Sequence, residues 1–587
     1  MFPSRPCLRL PPEVWLQCFR DCSSSDLCSI CLVNRYFATI ASNLRFRVLH
    51  RRVLQPHSVS PTGNERADDI EQWRQWKTSL EALAASPFAS AVRAYTFCYA
   101  EPDDLLAWGH FDDTYIKTLP AFARLKRVVI VGLDLDAHLR RALKSLLELE
   151  DLVLSPDFVE DTGDPGQLIP LQRLTIANLP ADSPHNREPF NEQVFLPDPS
   201  LLRELVLLCA GLTAACVSGL LTGSPDLRRP LTALTRLVLD LKREVLTPLH
   251  DMLALCPALR VLELQAAFGA PLTPHVHSQL QSLAAEKTAL PVLHMIRAPA
   301  PYVKILVPGR PVHEVQLYQD LSDHPRMQRE WRSVVGPFRY LAQATAPLRK
   351  LDVATFRYPP QKTPKVFAEI VKWFPQLEVL AFSMLDDADL GDESVLWWQA
   401  PRWRLLDDLL VDSALPIGIP EDISPGYRYD TLGRAFPPPP YSFPLVETRD
   451  HNPALRVRPT QSASRVRLHS FVQIFMNLLL EGAFTLPPNL TKLFFTGPSI
   501  TDPVEEHAMI LELERRLPRL EEIQLGWGYR TLNGPGDFHS EDECQREDYS
   551  ERWVREGGCW YGWVRERPWS HNSPRPKLGK VVIGSQV

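Results

Sequence analysis

Residues 234–264 read LTRLVLDLKREVLTPLHDMLALCPALRVLEL. This stretch begins with LTRLVL and ends with LRVLEL, two hexapeptides that share one pattern: apolar, two variable, apolar, one variable, apolar. Side chains alternate between the two faces of a strand, so the fourth and sixth residues of each hexapeptide share a face. Between the hexapeptides, residues 246–255 space their apolar residues as an amphipathic helix does. The stretch therefore predicts a strand, a helix and a second strand.

The same hexapeptide pattern recurs along most of the 587-residue chain. The matches begin at residues 92, 125, 149, 171, 202, 234, 259, 290, 312, 348, 377, 406, 490 and 520. One match alone carries no weight, but most successive starts lie about 20 to 36 residues apart, a spacing typical of leucine-rich repeats. Each such unit buries its apolar face only against its neighbours. The pattern predicts an α+β or α/β solenoid, a horseshoe of irregular leucine-rich repeats.

The segments between the hexapeptides are predicted to return along the outer side of the solenoid. Six of them have helical spacing: His138–Leu149, Thr213–Leu221, Leu246–Leu255, His277–Lys287, Pro364–Phe374 and Glu505–Leu517. An ordinary α/β sheet domain is the alternative fold. However, no glycine-rich phosphate loop of the G-x-G-x-x-G or G-x-x-x-x-G-K-S/T type follows any predicted strand, so the solenoid is favoured.

Composition narrows the classes of function. Lys plus Arg is 64 and Asp plus Glu is 70, which gives a net charge of −6. This balance is near neutral for the size of the chain and argues against a dedicated nucleic-acid or membrane-surface binder. No apolar run approaches the ~18 residues that a membrane span needs. The opening MFPSRPCLRLPPE is unlike a secretory signal, so we expect reduced thiols and a cytoplasmic or nuclear location.

The first fifty residues predict three short amphipathic helices. Pro11-Pro12-Glu13 suits a helix start, because Pro there loses no hydrogen bond and an acidic side chain favours the positive helix end. The stretch from Ser23 to Asp26 interrupts the first helix and caps the second. A third helix is expected from about Phe37 to Val53. Three such helices bury little by themselves, so this unit is expected to need a partner.

The residues from Leu10 to Phe37 resemble the F-box family. The family pattern is Leu-Pro-x-Glu, then apolar residues several positions on, Asp-Leu, and an apolar–Arg–aromatic ending. The matching positions are Leu10, Pro11, Glu13, Cys18, Phe19, Cys22, Asp26, Leu27, Ile30, Val33, Arg35 and Phe37. Cys18 and Cys22 stand where bulkier aliphatic residues are usual, and Phe37 replaces a common Trp.

The resemblance implies a function. F-box proteins with leucine-rich repeats, a fungal and animal class, are substrate receptors of Skp–cullin–F-box (SCF) ubiquitin ligases. By this resemblance the short helices bind a Skp-type adaptor and so the cullin scaffold, while the repeats hold a protein client for ubiquitin-dependent degradation. The residues expected to contact the adaptor, or to support that contact, are Leu10, Pro11, Val14, Ile30, Val33 and Phe37.

Client contacts are expected on the concave face, to which alternate strand residues point. In the early repeats these residues are apolar: Val129, Val131, Val153, Val206 and Leu208. In the later repeats they are mostly polar: Arg236, Asp240, Glu263, Gln265, Glu314, Gln316, Tyr318, Lys350 and Asp352. Loops or the end of the chain could equally cover the apolar part, so both interpretations stay open.

These patterns divide the chain into six segments. They are an F-box-like helical domain (1–53), a helical linker (54–88), irregular leucine-rich repeats (89–411), a Pro-rich and partly disordered insertion (412–465), the final repeats (466–530) and a C-terminal cap or tail (531–587). The Trp-rich tail is expected to close the last repeat, because the end of a repeat array needs a cap.

Other functions are weighed against this interpretation. Cys28-x-x-Cys31 has the spacing of a zinc site, but no His or second tight Cys pair completes four ligands, so buried structural cysteines are favoured. No G-x-S-x-G or H-E-x-x-H motif occurs, so we expect no enzyme, no catalytic residue, no metal and no cofactor. An adaptor-free repeat scaffold and an enzyme whose active site follows no known motif stay open as alternatives.

Overall fold

The computed structural model describes residues 11–20, 22–52, 64–98, 112–131, 133, 135–155, 169–177, 197–208, 213, 216–217, 220, 230–241, 243–266, 274–285, 289–318, 334–354, 362–383, 471–496, 503–525, 551–556, 559–565 and 578–584. The chain divides into two compact units. The helical unit comprises Met1–Ala41 and Pro416–His469, and the sheet unit comprises Ser42–Leu415 and Ser470–Val587. The predicted Pro-rich insertion and the hexapeptide at residue 406 lie outside the described residues.

Three short helices begin the described chain, as predicted. They are α1 (Pro12–Phe19), α2 (Ser24–Cys31) and α3 (Arg35–Arg45). Pro11 is the N-cap of α1 and Glu13 lies in its first turn, where a carboxylate suits the helix dipole. Ser23 caps α2 in a capping box with Asp26.

The predicted extent of the third helix is wrong. The helix ends at Arg45, and Val48–Arg52 forms the first strand, β1, which pairs in parallel with Ala94–Cys98. Val48 and Leu49 continue the helical spacing of apolar residues, but all five residues of β1 have a register partner in the next strand. Strand pairing decides the structure here, since local preference is weak where tertiary contacts compete with it.

The sheet unit is built on one long sheet. Within the described residues its first fourteen strands are parallel, and each pairs with the next strand along the chain. They are β1, β2 (Ala94–Cys98), β3 (Arg127–Val131), β4 (Asp151–Ser155), β5 (Arg173–Ala177), β6 (Glu204–Leu208), β7 (Arg236–Leu241), β8 (Val261–Ala266), β9 (Met295–Pro299), β10 (Glu314–Tyr318), β11 (Lys350–Val353), β12 (Val379–Ser383), β13 (Lys492–Thr496) and β14 (Glu522–Leu525). Parallel pairing in chain order is compatible with the predicted solenoid.

Helices fill most of the described connections between strands. They are α4 (Asn64–Ala84), α5 (Asp112–Thr118), α6 (Ala137–Lys144), α7 (Arg243–Ala254), α8 (Pro274–Ala285), α9 (Ala300–Leu306), α10 (Phe338–Leu341), α11 (Thr363–Trp373), α12 (Phe471–Leu480) and α13 (Pro503–Arg516), with 3₁₀ turns at Pro87–Ala91 and Leu119–Ala121. Five of the six predicted return helices coincide with α6, α7, α8, α11 and α13. The sixth is described at residues 213, 216, 217 and 220, which are helical.

The hexapeptides locate the strands with one error. In twelve of them the strand begins at the third residue, but the strand after Leu290 begins only at Met295. Leu290 has a φ of 54°, and its carbonyl accepts a hydrogen bond from Leu293 N–H at 3.3 Å, so this part of the hexapeptide forms a turn. Ile296 and Ala298 then supply the buried positions of β9.

The main hydrophobic core joins one face of the sheet to the helices. Leu237 and Leu239 on β7, Leu262 and Leu264 on β8, and Leu249 on α7 are all 0% exposed. These strand residues are the fourth and sixth of their hexapeptides, which confirms the predicted inward face. Full burial of a leucine contributes about 1.5–3 kcal/mol. The packing of the strands against the helices that connect them therefore stabilises the sheet unit.

The C-terminal end of the sheet changes to antiparallel pairing. Strand β14 pairs with β15 (Glu551–Glu556), β15 with β16 (Cys559–Arg565) and β16 with β17 (Leu578–Gly584). Trp553 and Trp560 are among the largest fully buried side chains of the described chain. These antiparallel strands thus extend the sheet beyond β14.

Candidate functional site

An aromatic cluster holds α1 against α3 in the helical unit. The ring of Phe37 lies 4.8 Å from that of Trp15 and 5.6 Å from that of Phe19, both in edge-on geometry. Trp15 and Phe19 are themselves 5.4 Å apart. Aromatic residues four apart share one side of a helix, which explains why both reach the same partner ring. Phe37, a predicted adaptor residue, is therefore half-buried and supports the position of α1.

The turn between α2 and α3 is held by hydrogen bonds. Asn34 caps α3, because its Oδ1 accepts a hydrogen bond from Phe37 N–H at 2.8 Å. Leu32 N–H donates to Ser29 at 3.1 Å, and Val33 N–H donates to Ile30 at 3.1 Å, so the end of α2 is closed as well. The side chains that leave this turn therefore have defined directions.

The described part of the helical unit buries few apolar side chains. Its buried ones are Leu27, Ile40 and Ala41, and no residue of α1 is buried. The exposed large apolar side chains of the same part are Val14 (37%), Leu16 (36%), Leu32 (88%), Val33 (64%) and Tyr36 (41%). Apolar side chains exposed on so small a unit are a candidate surface for binding another protein.

The structure places the six predicted adaptor residues differently. Pro11, Val14 and Val33 are exposed, and Ile30 and Phe37 are half-buried. The remaining one, Leu10, lies outside the described residues.

The six residues predicted for adaptor contact do not include Leu16, Leu32 and Tyr36, which are exposed apolar side chains in the structure. For Leu32 a signal existed: Leu32 and Val33 are consecutive apolar residues just before Asn34, and two neighbours at a helix end cannot both face one core.

The cysteines of the helical unit are not the buried structural residues that the sequence favours. Cys18 is exposed, and Cys22, Cys28 and Cys31 are half-buried. Cys22 Sγ donates a weak hydrogen bond to the carbonyl of Cys18 at 3.9 Å. Within the described ranges, no group of three or more His, Cys, Asp or Glu residues is arranged to hold a metal ion.

The second candidate site is the sheet face opposite the main core. The five apolar residues predicted for client contact lie on it and are buried: Val129 (1%), Val131 (6%), Val153 (4%), Val206 (2%) and Leu208 (2%). Val129, Val131 and Val153 form a hydrophobic cluster separate from the main core. They offer no surface to a client in this structure, which corrects the prediction of an apolar client-contact face.

Three of the polar client candidates are also buried. Asp240 is 0% exposed, Glu263 is 1% exposed and Gln265 is 4% exposed. Gln265 Nε2 donates to Glu263 Oε1 at 2.8 Å, and Arg297 Nη1 lies 3.3 Å from Glu263 Oε2. A buried carboxylate needs such partners, because its desolvation is costly. This polar group therefore serves the interior of the protein.

The remaining polar candidates whose side chains the structure describes are only partly buried: Arg236, Glu314, Gln316, Lys350 and Asp352. Glu314 and Lys350 form a cross-strand ion pair at 3.3 Å, and Arg236 pairs with Glu204 at 3.9 Å. Asp352 Oδ1 accepts a hydrogen bond from Ala354 N–H at 2.9 Å. The side chain of the last candidate, Tyr318, lies outside the described residues. The accessible part of this face thus lies on the later strands.

Charges alternate along the first residues of neighbouring strands. Asp151 on β4 lies 3.4 Å from Arg127 on β3 and 3.0 Å from Arg173 on β5. Burial raises the pKa of Asp151 above its ordinary value, and the two arginines oppose that shift. On β13 and β14, Lys492 and Glu522 pair at 2.8 Å. Opposite charges across adjacent strands favour this register.

Comparison with known proteins identifies the three N-terminal helices. Residues 7–49 match the F-box domain family, which covers α1, α2, α3 and the start of β1. The chain therefore carries an F-box domain. F-box domains typically bind Skp-type adaptors within SCF complexes, and F-box proteins are generally substrate receptors rather than enzymes. No curated protein matches the chain in sequence. Within the described residues, no helix is long and apolar enough to cross a membrane.

Proposed function

We propose that this chain is the substrate-recognition subunit of an SCF-type ubiquitin ligase. Its F-box unit binds a Skp-type adaptor and its sheet unit, a leucine-rich-repeat array of the fungal and animal class, binds a protein client. The observation that carries the proposal is the coincidence of the F-box match at residues 7–49 with a unit whose apolar side chains stay exposed.

The adaptor would supply what the helical unit lacks. Burying a large apolar side chain contributes about 1.5–3 kcal/mol, and Leu32 and Val33 are mostly exposed without a partner protein.

The sheet unit would contribute proximity rather than chemistry. Holding a client near a ubiquitin-loaded conjugating enzyme raises its effective concentration, and the bond-forming step belongs to other subunits. The candidates for client contact that keep some exposure are Arg236, Glu314, Gln316, Lys350 and Asp352. The proposal includes a cytoplasmic or nuclear location, where free thiols such as that of Cys18 stay reduced.

Direct binding of purified components tests the adaptor role. The full-length chain is mixed with a purified Skp-type adaptor and then with a cullin scaffold, and complexes are resolved by size-exclusion chromatography. We expect a stable chain–adaptor complex that recruits the cullin. The double variant Leu10→Ala, Pro11→Ala should lose the complex while keeping the circular dichroism of the repeats.

The matched control is Leu147→Ser, which changes a leucine that is 78% exposed in the sheet unit. This variant should bind the adaptor as the wild type does. If the wild-type chain forms no complex with any Skp-type adaptor offered, the proposal is wrong and the chain is better described as an adaptor-free scaffold. Binding retained by the double variant would show that its Leu-Pro start is not part of the interface.

A further inference from the structure

The residues that directly precede β6 to β11 form a row with basic side chains and no carboxylate. Their backbones make one ladder of hydrogen bonds across the sheet. Thr235 N–H donates to the carbonyl of Arg203 at 2.8 Å and Arg260 N–H donates to that of Thr235 at 2.9 Å. The next three residues continue the ladder with bonds of 3.0, 2.8 and 2.8 Å. We name these residues the strand-end row: Arg203, Thr235, Arg260, His294, His313 and Arg349.

The described turns beside the strand-end row add little negative charge. No Asp or Glu occurs in the described residues that lead into β7 to β11, which are 230–235, 255–260, 289–294, 306–313 and 341–349. The turn before β6 contains Asp198, whose Oδ1 accepts hydrogen bonds from the backbone and the hydroxyl of Ser200 at 2.9 and 2.7 Å. The carboxylate of Asp198 is therefore engaged within its own turn.

The carboxylates on the neighbouring strand positions are paired with cations. The pairs are Glu204–Arg236, Glu314–Lys350 and Glu378–Arg349, at 3.9, 3.3 and 3.7 Å. Arg203 and Arg260 are exposed, and neither has an ion-pair partner in the part of the chain that the structure describes. These two arginines thus leave positive charge available to a ligand.

The spacing of the two arginines fits an extended peptide. Arg203 and Arg260 precede strands two apart in the sheet, and neighbouring strands lie about 4.7–4.9 Å apart, so their backbone positions are about 9–10 Å apart. A polyproline II segment has about three residues per turn and rises about 3.1 Å per residue. Side chains three residues apart in such a segment therefore share one side at about 9 Å.

We infer that the strand-end row binds an acidic, extended segment of the client, with carboxylates three residues apart on Arg203 and Arg260. The inference rests on the proposed function, because the segment belongs to the client of the sheet unit. Charge complementarity carries it: the whole chain has a net charge of −6, yet this row exposes two arginines whose charge is not neutralised. A guanidinium group also matches a carboxylate in shape, since it donates two parallel N–H bonds to the two oxygens.

Fluorescence anisotropy with defined peptides tests the site on the full-length chain. The probes are fluorescein-labelled peptides of four Glu-Pro-Pro repeats and of four Gln-Pro-Pro repeats. We expect the wild type to bind the Glu peptide about 2- to 30-fold more tightly, because two exposed ion pairs each contribute modestly. The double variant Arg203→Gln, Arg260→Gln should bind the two peptides alike. The reversed variant Arg203→Glu, Arg260→Glu should prefer a peptide of four Lys-Pro-Pro repeats.

The matched control is the double variant Arg141→Gln, Arg519→Gln, which removes the same charge from two exposed arginines elsewhere in the sheet unit. It should prefer the Glu peptide as the wild type does, and all variants should keep the circular dichroism of the wild type. If the wild type does not distinguish the two peptides, or if the control loses the preference as well, the inference is wrong.

Adaptor binding is measured separately on the same proteins. A chain that binds the adaptor but shows no preference for the Glu peptide overturns the inference and leaves the proposed function standing. A wild-type chain that prefers the Glu peptide but binds no adaptor overturns the proposed function and, with it, the assignment of the segment to a client.

Two other occupants of the strand-end row give different results. If a labelled oligothymidylate binds more tightly than the Glu peptide and depends on Arg203 and Arg260, the row serves a nucleic acid and the inference fails. The chain's own residues 537–551 include seven Asp and Glu residues. If the Glu peptide binds only after these seven are replaced by Asn and Gln, this run is the occupant and the client assignment fails.

Discussion

Replacing Trp560 with Ala should destabilise the C-terminal end of the sheet unit. Trp560 lies on β16 with its side chain 0% exposed, and its Nε1 donates a hydrogen bond to Glu514 Oε2 at 3.0 Å. Arg555 on β15 forms an ion pair with the other oxygen of Glu514 at 2.6 Å, and its Nη1 donates to the carbonyl of Pro518. These contacts tie the antiparallel strands to α13.

The magnitude follows from the buried ring. Removing a buried tryptophan side chain costs about 3–5 kcal/mol, because the lost contacts leave a cavity. Trp560→Phe keeps most of the ring and loses the hydrogen bond, while Glu514 keeps Arg555 as a partner. That variant should therefore lose about 1.5–3 kcal/mol, less than Trp560→Ala. The control, Val292→Ala, changes a residue that is 43% exposed in the turn before β9 and should stay within about 0.5 kcal/mol of wild type.

Urea unfolding and hydrogen exchange measure the effect together. An array of repeats opens from its least stable end, so the amides of β13 and β14 should lose protection first in Trp560→Ala. The amides of β4 and β5 should exchange as in the wild type. If Trp560→Ala shifts the unfolding free energy no more than Val292→Ala does, or if β14 keeps its protection, the Trp-rich strands do not stabilise the array.

Three further predictions concern single side chains. Burial raises the pKa of the Cys256 thiol to about 12. Iodoacetamide at pH 8 should therefore modify the exposed Cys18 in the native protein but Cys256 only after unfolding, which peptide mass spectrometry measures. Labelling of Cys256 in the native protein would contradict its burial. Hydrogen bonds from two arginines lower the pKa of Glu512 to about 2, so its ionised form stabilises the fold above its ordinary pKa of 4.5 and this effect is lost as pH falls toward 2. The unfolding midpoints of the wild type and Glu512→Gln should therefore converge as the pH is lowered. A difference in midpoint that stays constant with pH would refute this. Val153→Asp should lower the unfolding midpoint strongly, because Val153 is 4% exposed in an apolar cluster, and an unchanged midpoint would show that this face is open to solvent.

The repeat pattern predicted most of the strands because one physical constraint repeats. The residue that occupies the position of Leu237 faces the helices in each stacked unit, so the spacing of apolar residues recurs from one unit to the next. The helical spacing of apolar residues misplaced Val48 and Leu49. Apolar residues at these positions fit either a helix or a strand, and pairing with the distant strand β2 selects the strand. It failed again at Leu290, because a turn with positive φ leaves no mark in an apolar pattern.

The candidate sites were harder to predict than the fold. Alternation placed Val129 and Val153 on the face opposite the helices, but it carried no information on whether other parts of the chain cover that face. Exposure depends on long-range packing, and apolar composition alone does not reveal it. In the helical unit the family resemblance pointed to Val14 and Val33 as adaptor contacts. The mostly exposed Leu32 lies between two positions of the family pattern, Ile30 and Val33.

The alternation of charge on the first residues of β3 to β7 has a consequence for assembly. Arg127, Asp151, Arg173, Glu204 and Arg236 are direct neighbours across successive strands. If a growing chain skipped one strand and paired β3 with β5, two arginines would meet, and skipping β5 would bring two carboxylates together. Like charges directly opposite each other oppose pairing. Each of these strands thus discriminates its own neighbour from the next but one, although all of them carry similar apolar side chains on the face toward the helices.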